Sequence, residues 1–359
     1  MENNDLPLCK EQLKKIDVSI FINELLDAVK YLSIFETKLL DTKLPDFIFL
    51  PKLELNEIVS SLKIEGTSTK IEDYYENQLL PIDQRSLETT ELYNYINALD
   101  KGMRIVKIDG FTHENIKEFH KMLFCESKNI KKRITIGDYK KVNNYIGNDN
   151  KKSYIPPTFD KTLIYMDDLI DFMNDTDQTF HPLIKCAVMH AQFESIHPFE
   201  DGNGRLGRFL VPIYLCSTKL LRGPLFYISE AIEKDKFLYY RCLDETRNGD
   251  YNLWIKYFLQ KCSIQSKKHI EFMNKIDSLY QKTTDNISNI TNSVITPKIV
   301  NTIFKDPIIS SKMMAESLSI SLTQANRYLK CLEENKILYR NDKKRNVTYY
   351  FAELLSLID

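Results

Sequence analysis

The sequence predicts a mainly α protein. Glycine is scarce, at ten residues in 359, while Leu, Ile, Lys and Glu are abundant. Apolar side chains also return at three- and four-residue intervals over most of the chain. Strand character is confined in this reading to one stretch at 133–147 and another at 347–351. The length favours two or three domains. We divide the chain into an N-terminal helical region (1–90), a helical core (91–265), a helical linker (266–292) and a compact C-terminal domain (293–359). A formal charge of −1 gives no argument for bulk binding to nucleic acid or acidic membranes. The seven cysteines form no C-x-x-C pair and fit a reducing cytoplasm. No apolar run approaches the roughly 20 residues that a membrane span needs, and the opening Met-Glu-Asn-Asn-Asp does not read as a signal peptide. The expectation is a soluble cytoplasmic chain with no membrane contact.

In chain order, helical patterning through Ile20, Leu25, Val29 and Leu32 ends in the stretch around Pro45 and Pro51. Leu55, Ile58, Val59 and Leu62 then form one apolar helical stripe, and the next position on it is Glu65. Gly66 supplies a stop. A carboxylate ending an apolar face must reach solvent, be paired or be neutralised. Helical spacing returns through Leu92, Ile96 and Leu99 and again through Ile116, Phe119 and Leu123. Residues 133–139 alternate β-branched side chains and, with Val142 to Gly147, predict a small hairpin. Beyond Pro156-Pro157, Leu183, Ala187 and Ala191, with Ile184 and Val188 alongside, mark one helix, and Leu206, Phe209, Leu210, Ile213 and Tyr214 another.

Between those two helices lies His197-Pro198-Phe199-Glu200-Asp201-Gly202-Asn203-Gly204-Arg205-Leu206-Gly207-Arg208. A glycine-rich turn feeding a helix N-terminus is an anion site, because unsatisfied N–H groups and the positive dipole end converge there. Arg205 and Arg208, three apart, reach from one side of the first turn. Two guanidinium groups beside such a cradle point to a polyphosphate. Asp201 is positioned to hold Mg²⁺ together with phosphates, since magnesium takes few protein carboxylates. His197 is the natural general base. Pro198 fixes the corner, Phe199 anchors the loop in the core, and Glu200 faces solvent. No Gly-Lys-Ser/Thr follows, so this is not a Walker A loop. His190 has no second His or Cys at ligand spacing, and zinc is rejected.

This segment resembles the signature of Fic-domain proteins, His-Pro-Phe-x-Asp-Gly-Asn-Gly-Arg-x-x-Arg, at all nine specified positions. Ser61-Leu62-Lys63-Ile64-Glu65-Gly66 similarly resembles the family's inhibitory helix motif, Ser/Thr-x-x-x-Glu-Gly/Asn. The resemblance implies that a helix at about 55–66 inhibits the core through Glu65 pairing with Arg208. Ser61, one turn earlier, would bond or position Glu65, or is an ordinary exposed serine. Residues 137–147 match the family's target-docking flap in part: Lys140 stands for the usual Arg and Tyr145 for the usual Trp. Tyr145, Ile146 and Gly147 are thus read as target-docking or as a plain turn. Tyr239 and Tyr240 are read as an aromatic wall for adenine or as core residues, with Asn252 as a further adenine contact.

The C-terminal pattern of inward-facing Val300 and Ile303, a short helix over Lys312 to Ser317, a turn, a longer helix and a charged hairpin resembles a winged helix. Its second helix would present Thr323, Gln324, Arg327 and Lys330, and its wing Lys343, Lys344 and Arg345. Ten Lys/Arg against seven Asp/Glu over 293–359 is a thin footprint for DNA, so DNA, protein and a second copy all stay open as its partner. The resemblance implies an adenylyltransferase moving AMP from ATP, with Mg²⁺, onto a Tyr, Thr or Ser hydroxyl of a target protein or of itself. The Gly202, Asn203 and Gly204 amides and the two arginines would hold the phosphates. Two alternatives use the same residues: a hydrolase removing AMP with Glu65, and a nucleotide-sensing DNA-binding regulator.

Overall fold

The computed structural model describes residues 5–67, 70–80, 84, 87–124, 135–148, 151–291, 294–343 and 347–358. In chain order the helices are α1 (Cys9–Leu13), α2 (Ile22–Asp41), α3 (Asp46–Ile64), α4 (Ile71–Gln78), α5 (Leu87–Asp109) and α6 (His113–Phe124). A hairpin of β1 (Ile146–Asn148) and β2 (Lys151–Tyr154) follows. Then come α7 (Thr162–Asn174), α8 (Pro182–Ile196), α9 (Asn203–Ser217), α10 (Ser229–Glu233), α11 (Lys236–Arg247) and α12 (Tyr251–Ser288). The remainder is α13 (Thr296–Lys305), β3 (Ile308–Ser310), α14 (Ser311–Leu318), α15 (Leu322–Glu334), β4 (Tyr339–Arg340), β5 (Thr348–Tyr350) and α16 (Ala352–Ile358). The fold is mainly α with a small β component, as composition and spacing predict.

The chain divides into two compact units. One comprises Met1–Leu40, Glu57–Ser68 and Thr90–Lys267; the other comprises Asp41–Asn56, Thr69–Thr89 and Lys268–Asp359. The N-terminal 90 residues are therefore shared between units rather than forming one region. The expected linker is also helix, since α12 runs unbroken from Tyr251 to Ser288. Its Ser/Thr-rich end stays helical because Ile276, Leu279 and Ile287 are buried, and its hydroxyls are satisfied by carbonyls one turn back, as Ser278 is by Asn274 O and Thr284 by Tyr280 O. Helix α3 likewise begins before Pro51 and carries it inside.

In the first unit α8 is buried on every side, from Leu183 through Ile196. A stripe at Leu183, Ala187 and Ala191 understates this central helix, whose flanks are covered by α7, α9, α11 and α1. Its polar residues mostly find partners: Lys185 donates to Asp175 O and Asp177 O, and Gln192 donates to Pro7 O and accepts from the Tyr251 hydroxyl. Trp254, fully buried, donates its indole N–H to Ala187 O at 2.7 Å. The predicted hairpin over 133–147 is displaced. Residues 135–142 lack strand structure, 133 and 134 lie outside the described residues, and the pairing is Ile146–Asn148 against Lys151–Tyr154.

The second unit is built around an antiparallel sheet in the order β3-β5-β4, with Ile309 opposite Tyr349. Ser310 caps α14 through Met313 N–H and Ser321 caps α15 through Gln324 N–H. Ile299, Ile303, Met314, Ala325, Leu329, Leu332 and Leu354 form its core. Lys52 is buried here with its ammonium on Phe304 O at 2.6 Å, and burial pushes its pKa down to about 7. Thr323, Gln324, Arg327 and Lys330 are exposed on α15, as is Lys343; Lys344 and Arg345 lie outside the described residues. No described helix is long and apolar enough to cross a membrane.

Candidate active site

The motif loop joins the C-terminus of α8 to the N-terminus of α9, so every group it offers sits between two core helices. His197 caps α8 in the left-handed region, at φ 48° and ψ 60°, while its N–H still donates to Phe193 O. Nδ1 of its ring is buried and makes no hydrogen bond among the described residues. Burial, reinforced by the charges of Lys140 and Arg247, pushes its pKa down to about 3. The imidazole is therefore neutral across the physiological range, the form a proton acceptor needs.

The loop is held by its own side chains and by α6. Phe199 is fully buried, with its ring stacked on His120 at 4.0 Å and nearly parallel. Asn203 closes the turn twice, accepting from Phe199 N–H and donating to Phe199 O, both at 2.9 Å. Its side chain belongs to the loop, leaving only its backbone to face an anion. His120 donates to Asp201 O at 3.1 Å and accepts Gly137 N–H at 3.0 Å, and burial lowers its pKa to about 4. The Gly202 amide, expected in the phosphate cradle, instead donates to Asp201 Oδ1 at 2.6 Å. Gly202 also has φ 76°, and a Cβ there would collide with the Phe124 ring. Gly202→Ala is expected to destabilise the protein by roughly 2–4 kcal/mol, from strain plus overpacking. A urea-unfolding midpoint equal to wild type would contradict this.

Both motif arginines are engaged. Arg205 lies 3.4 Å from Glu91 and stacks 4.2 Å over Phe124. Arg208 is 1% exposed; its Nε donates to Ser61 Oγ at 2.9 Å and its Nη2 to Ser61 O at 3.1 Å and Glu65 Oε1 at 2.6 Å. Ser61 thus binds the arginine and is buried, rather than positioning Glu65 directly or facing solvent. Burial pushes the Glu65 carboxyl up, but Arg208, then Arg205, outweigh it and hold its pKa below the ordinary value. Burial likewise works against the Arg208 charge, and Glu65 more than offsets it. A Cβ on Gly204 would collide with Glu65 Oε1. The carboxylate therefore lies against the first turn of α9, where an anion is stabilised by the helix end.

The aromatic assignments divide. Tyr239 is a core residue rather than a wall: it is 1% exposed, and its hydroxyl meets His190 Nε2 at 2.9 Å. The other ring nitrogen of His190 bonds Gly207 O at 3.1 Å, so that histidine is structural. Tyr240 is 42% exposed, and its hydroxyl donates to Ile64 O at the end of α3. Asn252 accepts Asp17 N–H on its side-chain oxygen at 3.0 Å. Tyr145 borders the hairpin, Ile146 begins β1, and Gly147 sits at its bulge with φ 120°. Behind them Tyr154 donates to Ser195 O and lies under the Arg247 guanidinium at 3.8 Å, tying the hairpin to the end of α8.

Three buried acids and His120 escaped the sequence reading. Glu57 accepts Ser229 N–H at 2.8 Å and Ser229 Oγ–H at 2.5 Å, and burial raises its pKa to about 7. With Ser61 and Glu65 it forms an i, i+4, i+8 polar line on α3, a signal that was available. Glu91 and Glu194 carry no such pattern. Glu194 is raised to about 7 by burial, and its Oε1 makes no hydrogen bond among the described residues.

Residues 110–215 match the family model described as Fic/DOC family. The chain is 26% identical over 219 residues to the protein adenylyltransferase Fic of Aedes aegypti, covering 58% of this chain and 40% of that one. It is 22% identical over 214 residues to the protein adenylyltransferase fic-1 of Caenorhabditis elegans, covering 57% and 38%. The match thus spans well under half the length of these curated relatives. A crystal structure of a Fic family protein from Desulfovibrio desulfuricans G20 superposes with a TM-score of 0.60 at 19% identity, covering 94% of this chain and 97% of that one. Fic-1 (aa134–508) from C. elegans gives 0.52 at 17% identity, covering 71% and 73%. At these identities the structural likeness is one of fold.

Proposed function

We propose that the chain is a protein adenylyltransferase repressed by its own α3. The observation that carries this reading is the carboxylate of Glu65 lying on Arg208 and against the first turn of α9, in the place where the motif would receive phosphate. The adenylyltransferase names of the curated relatives support the choice of reaction. ATP is the donor substrate, and the acceptor is a Tyr, Thr or Ser hydroxyl of a target protein or of this chain. His197 takes the hydroxyl proton as the oxygen attacks the α-phosphorus, and pyrophosphate leaves. The amides of Asn203 and Gly204 and the guanidinium groups of Arg205 and Arg208 hold charge on the phosphates. Arg208 can do so only after Glu65 withdraws.

Among the described residues no three His, Cys, Asp or Glu side chains gather as a metal cage. A single carboxylate, Asp201, already polarised by Gly202 N–H, fits a Mg²⁺ that arrives on the triphosphate. Held there, it would neutralise phosphate charge. Tyr240 is our candidate for stacking on adenine, and Tyr145, Ile146 and Gly147 for lining up the target segment beside His197. The element order of 296–350, helix, strand, helix, helix, strand, strand, supports a winged helix, with a protein, a second copy or DNA as its partner. We place the reaction in the cytoplasm.

The placement of Glu65 also favours a second reading, in which this carboxylate orients a water that removes AMP from a modified protein. One gel separates the two. Wild type, Glu65→Gly and Glu65→Gly/His197→Ala are incubated with α-labelled ATP and Mg²⁺. Label on protein in the single variant, weak in wild type and absent in the double, is the expected result. No label in any lane, with AMP released by wild type from a pre-modified target, would replace transferase by hydrolase.

A further inference from the structure

Lys140 and Asn144 stand four residues apart in the segment that precedes β1, and neither enters the chemistry above. Between them they donate to four consecutive carbonyls, the last of α8 and the first three of the motif loop. The Lys140 ammonium donates to Ile196 O at 3.1 Å, and the Lys140 backbone N–H to Pro198 O at 2.8 Å. The Asn144 amide donates to His197 O at 3.1 Å and to Phe199 O at 2.9 Å. The two are also joined to each other, with Lys140 Nζ donating to Asn144 Oδ1 at 3.0 Å.

This arrangement is costly unless it does something. Lys140 is 3% exposed, burial lowers its pKa to about 7, and it makes no ion pair among the described residues, so its amine is satisfied only by a carbonyl and an amide. An apolar side chain of the same length would avoid that desolvation. What the charge and the amide gain is control of one turn. The carbonyls they hold flank His197, a non-glycine residue in the left-handed region, and they lie where α8 runs out of intrahelical donors. A cation at a helix C-terminus is also favoured by the helix dipole. The same cation faces the imidazole and disfavours its protonation, in the direction that burial already sets.

We propose that Lys140 and Asn144 are positioning residues that hold the left-handed turn at His197, so that the imidazole is aimed before a target arrives. This rests on the reading of His197 as the base. Three of the four contacts fall on the loop and the fourth on the last residue of α8, so the pair should govern the geometry of one residue rather than the stability of the core.

The test uses the full chain carrying Glu65→Gly, alone and with Asn144→Asp or Lys140→Met. Asn144→Asp is isosteric and keeps an acceptor for Lys140 while removing both donors; Lys140→Met keeps the stem and removes the ammonium. Each variant should lower kcat for AMP transfer at least about ten-fold while KM for ATP changes less than about two-fold. Hydrogen exchange followed by mass spectrometry should rise in the peptide covering 196–200 and stay at the parental level in 183–193. Parental exchange at 196–200 in both variants overturns the proposal, as does an unchanged kcat or a rise in exchange throughout α8. Should the Glu65→Gly parent itself transfer no AMP, the adenylyltransferase reading fails, and exchange at 196–200 alone decides the clamp.

Discussion

Replacing His197 by alanine in a Glu65→Gly background is expected to lower AMP transfer by about 10²–10⁴-fold or more, the range of a lost general base. ATP affinity should stay close to that of the parent. The two effects separate because the ring and the phosphate cradle belong to different elements. His197 ends α8, whereas Asn203, Gly204, Arg205 and Arg208 belong to α9. The loop between them is held by Phe199 in the core and by Asn203, neither of which depends on the imidazole. Transfer is followed with labelled ATP and binding by calorimetry. Joint loss of both would mean that the loop had collapsed, and the assignment of a base would fall.

The same residue makes a prediction about pH. A histidine lowered to about 3 is already neutral at pH 5, so the transfer rate should show no His197 inflection near 6.5. The sign for stability follows from the same depression. Below pH 6.5 the unfolded chain takes up this proton before the folded chain does, so His197 makes stability fall as pH drops from 6.5 towards 3. Removing the ring should flatten that part of the curve, measured as urea unfolding free energy against pH for wild type and His197→Ala. Identical slopes would argue that the ring titrates normally in the folded protein.

Glu65→Gly is expected to tighten ATP binding by roughly 10–100-fold and to raise transfer at least as much. A charge-assisted hydrogen bond to a guanidinium contributes about 1.5–3 kcal/mol net, which is the competition that ATP must overcome at Arg208. Arg208 is 1% exposed, so screening is weak on its side, while the 40% exposure of the Glu65 side chain draws the effect towards the lower end of that range. Glu65→Gln, which keeps the shape and removes the charge, should fall between. Ser61→Ala should act differently. It strips the acceptor from Arg208 Nε and leaves a buried donor unpaired, so about 1–3 kcal/mol of stability should be lost before any gain in binding appears. Calorimetry on the four proteins checks the series. Equal ATP affinity in wild type and Glu65→Gly would remove repression from the reading.

Some of the molecule was legible in the chain for reasons that are local. Helices announce themselves through three- and four-residue spacing, and scarce glycine removes most competitors. The site loop was legible because a turn, a helix N-terminus and two arginines on one face all lie within a dozen residues. Where local signals and burial disagreed, burial prevailed. Helix α8 has no amphipathic stripe because every flank is covered, and the Ser/Thr-rich end of α12 stays helical because Ile276, Leu279 and Ile287 are buried there. Tyr239 and Tyr240 are neighbours of identical type, yet one is locked to His190 and the other is 42% exposed. Adjacent helix positions point about 100° apart, and only packing says which of them faces inward.

By itself, then, the sequence determined the helical class and the motif loop, whose chemistry rests on residues adjacent along the chain. The motif resemblance paired Glu65 with Arg208; tertiary structure alone decided that Ser61 shares that arginine, 147 positions away in sequence. It also decided that Lys140 and Asn144 take the four carbonyls around His197 and that the Gly202 amide is given to Asp201. The contacts of Lys140 and Asn144 are hydrogen bonds to backbone carbonyls more than 50 positions away in sequence. A carbonyl carries no residue identity, so no pattern of side chains could have announced them.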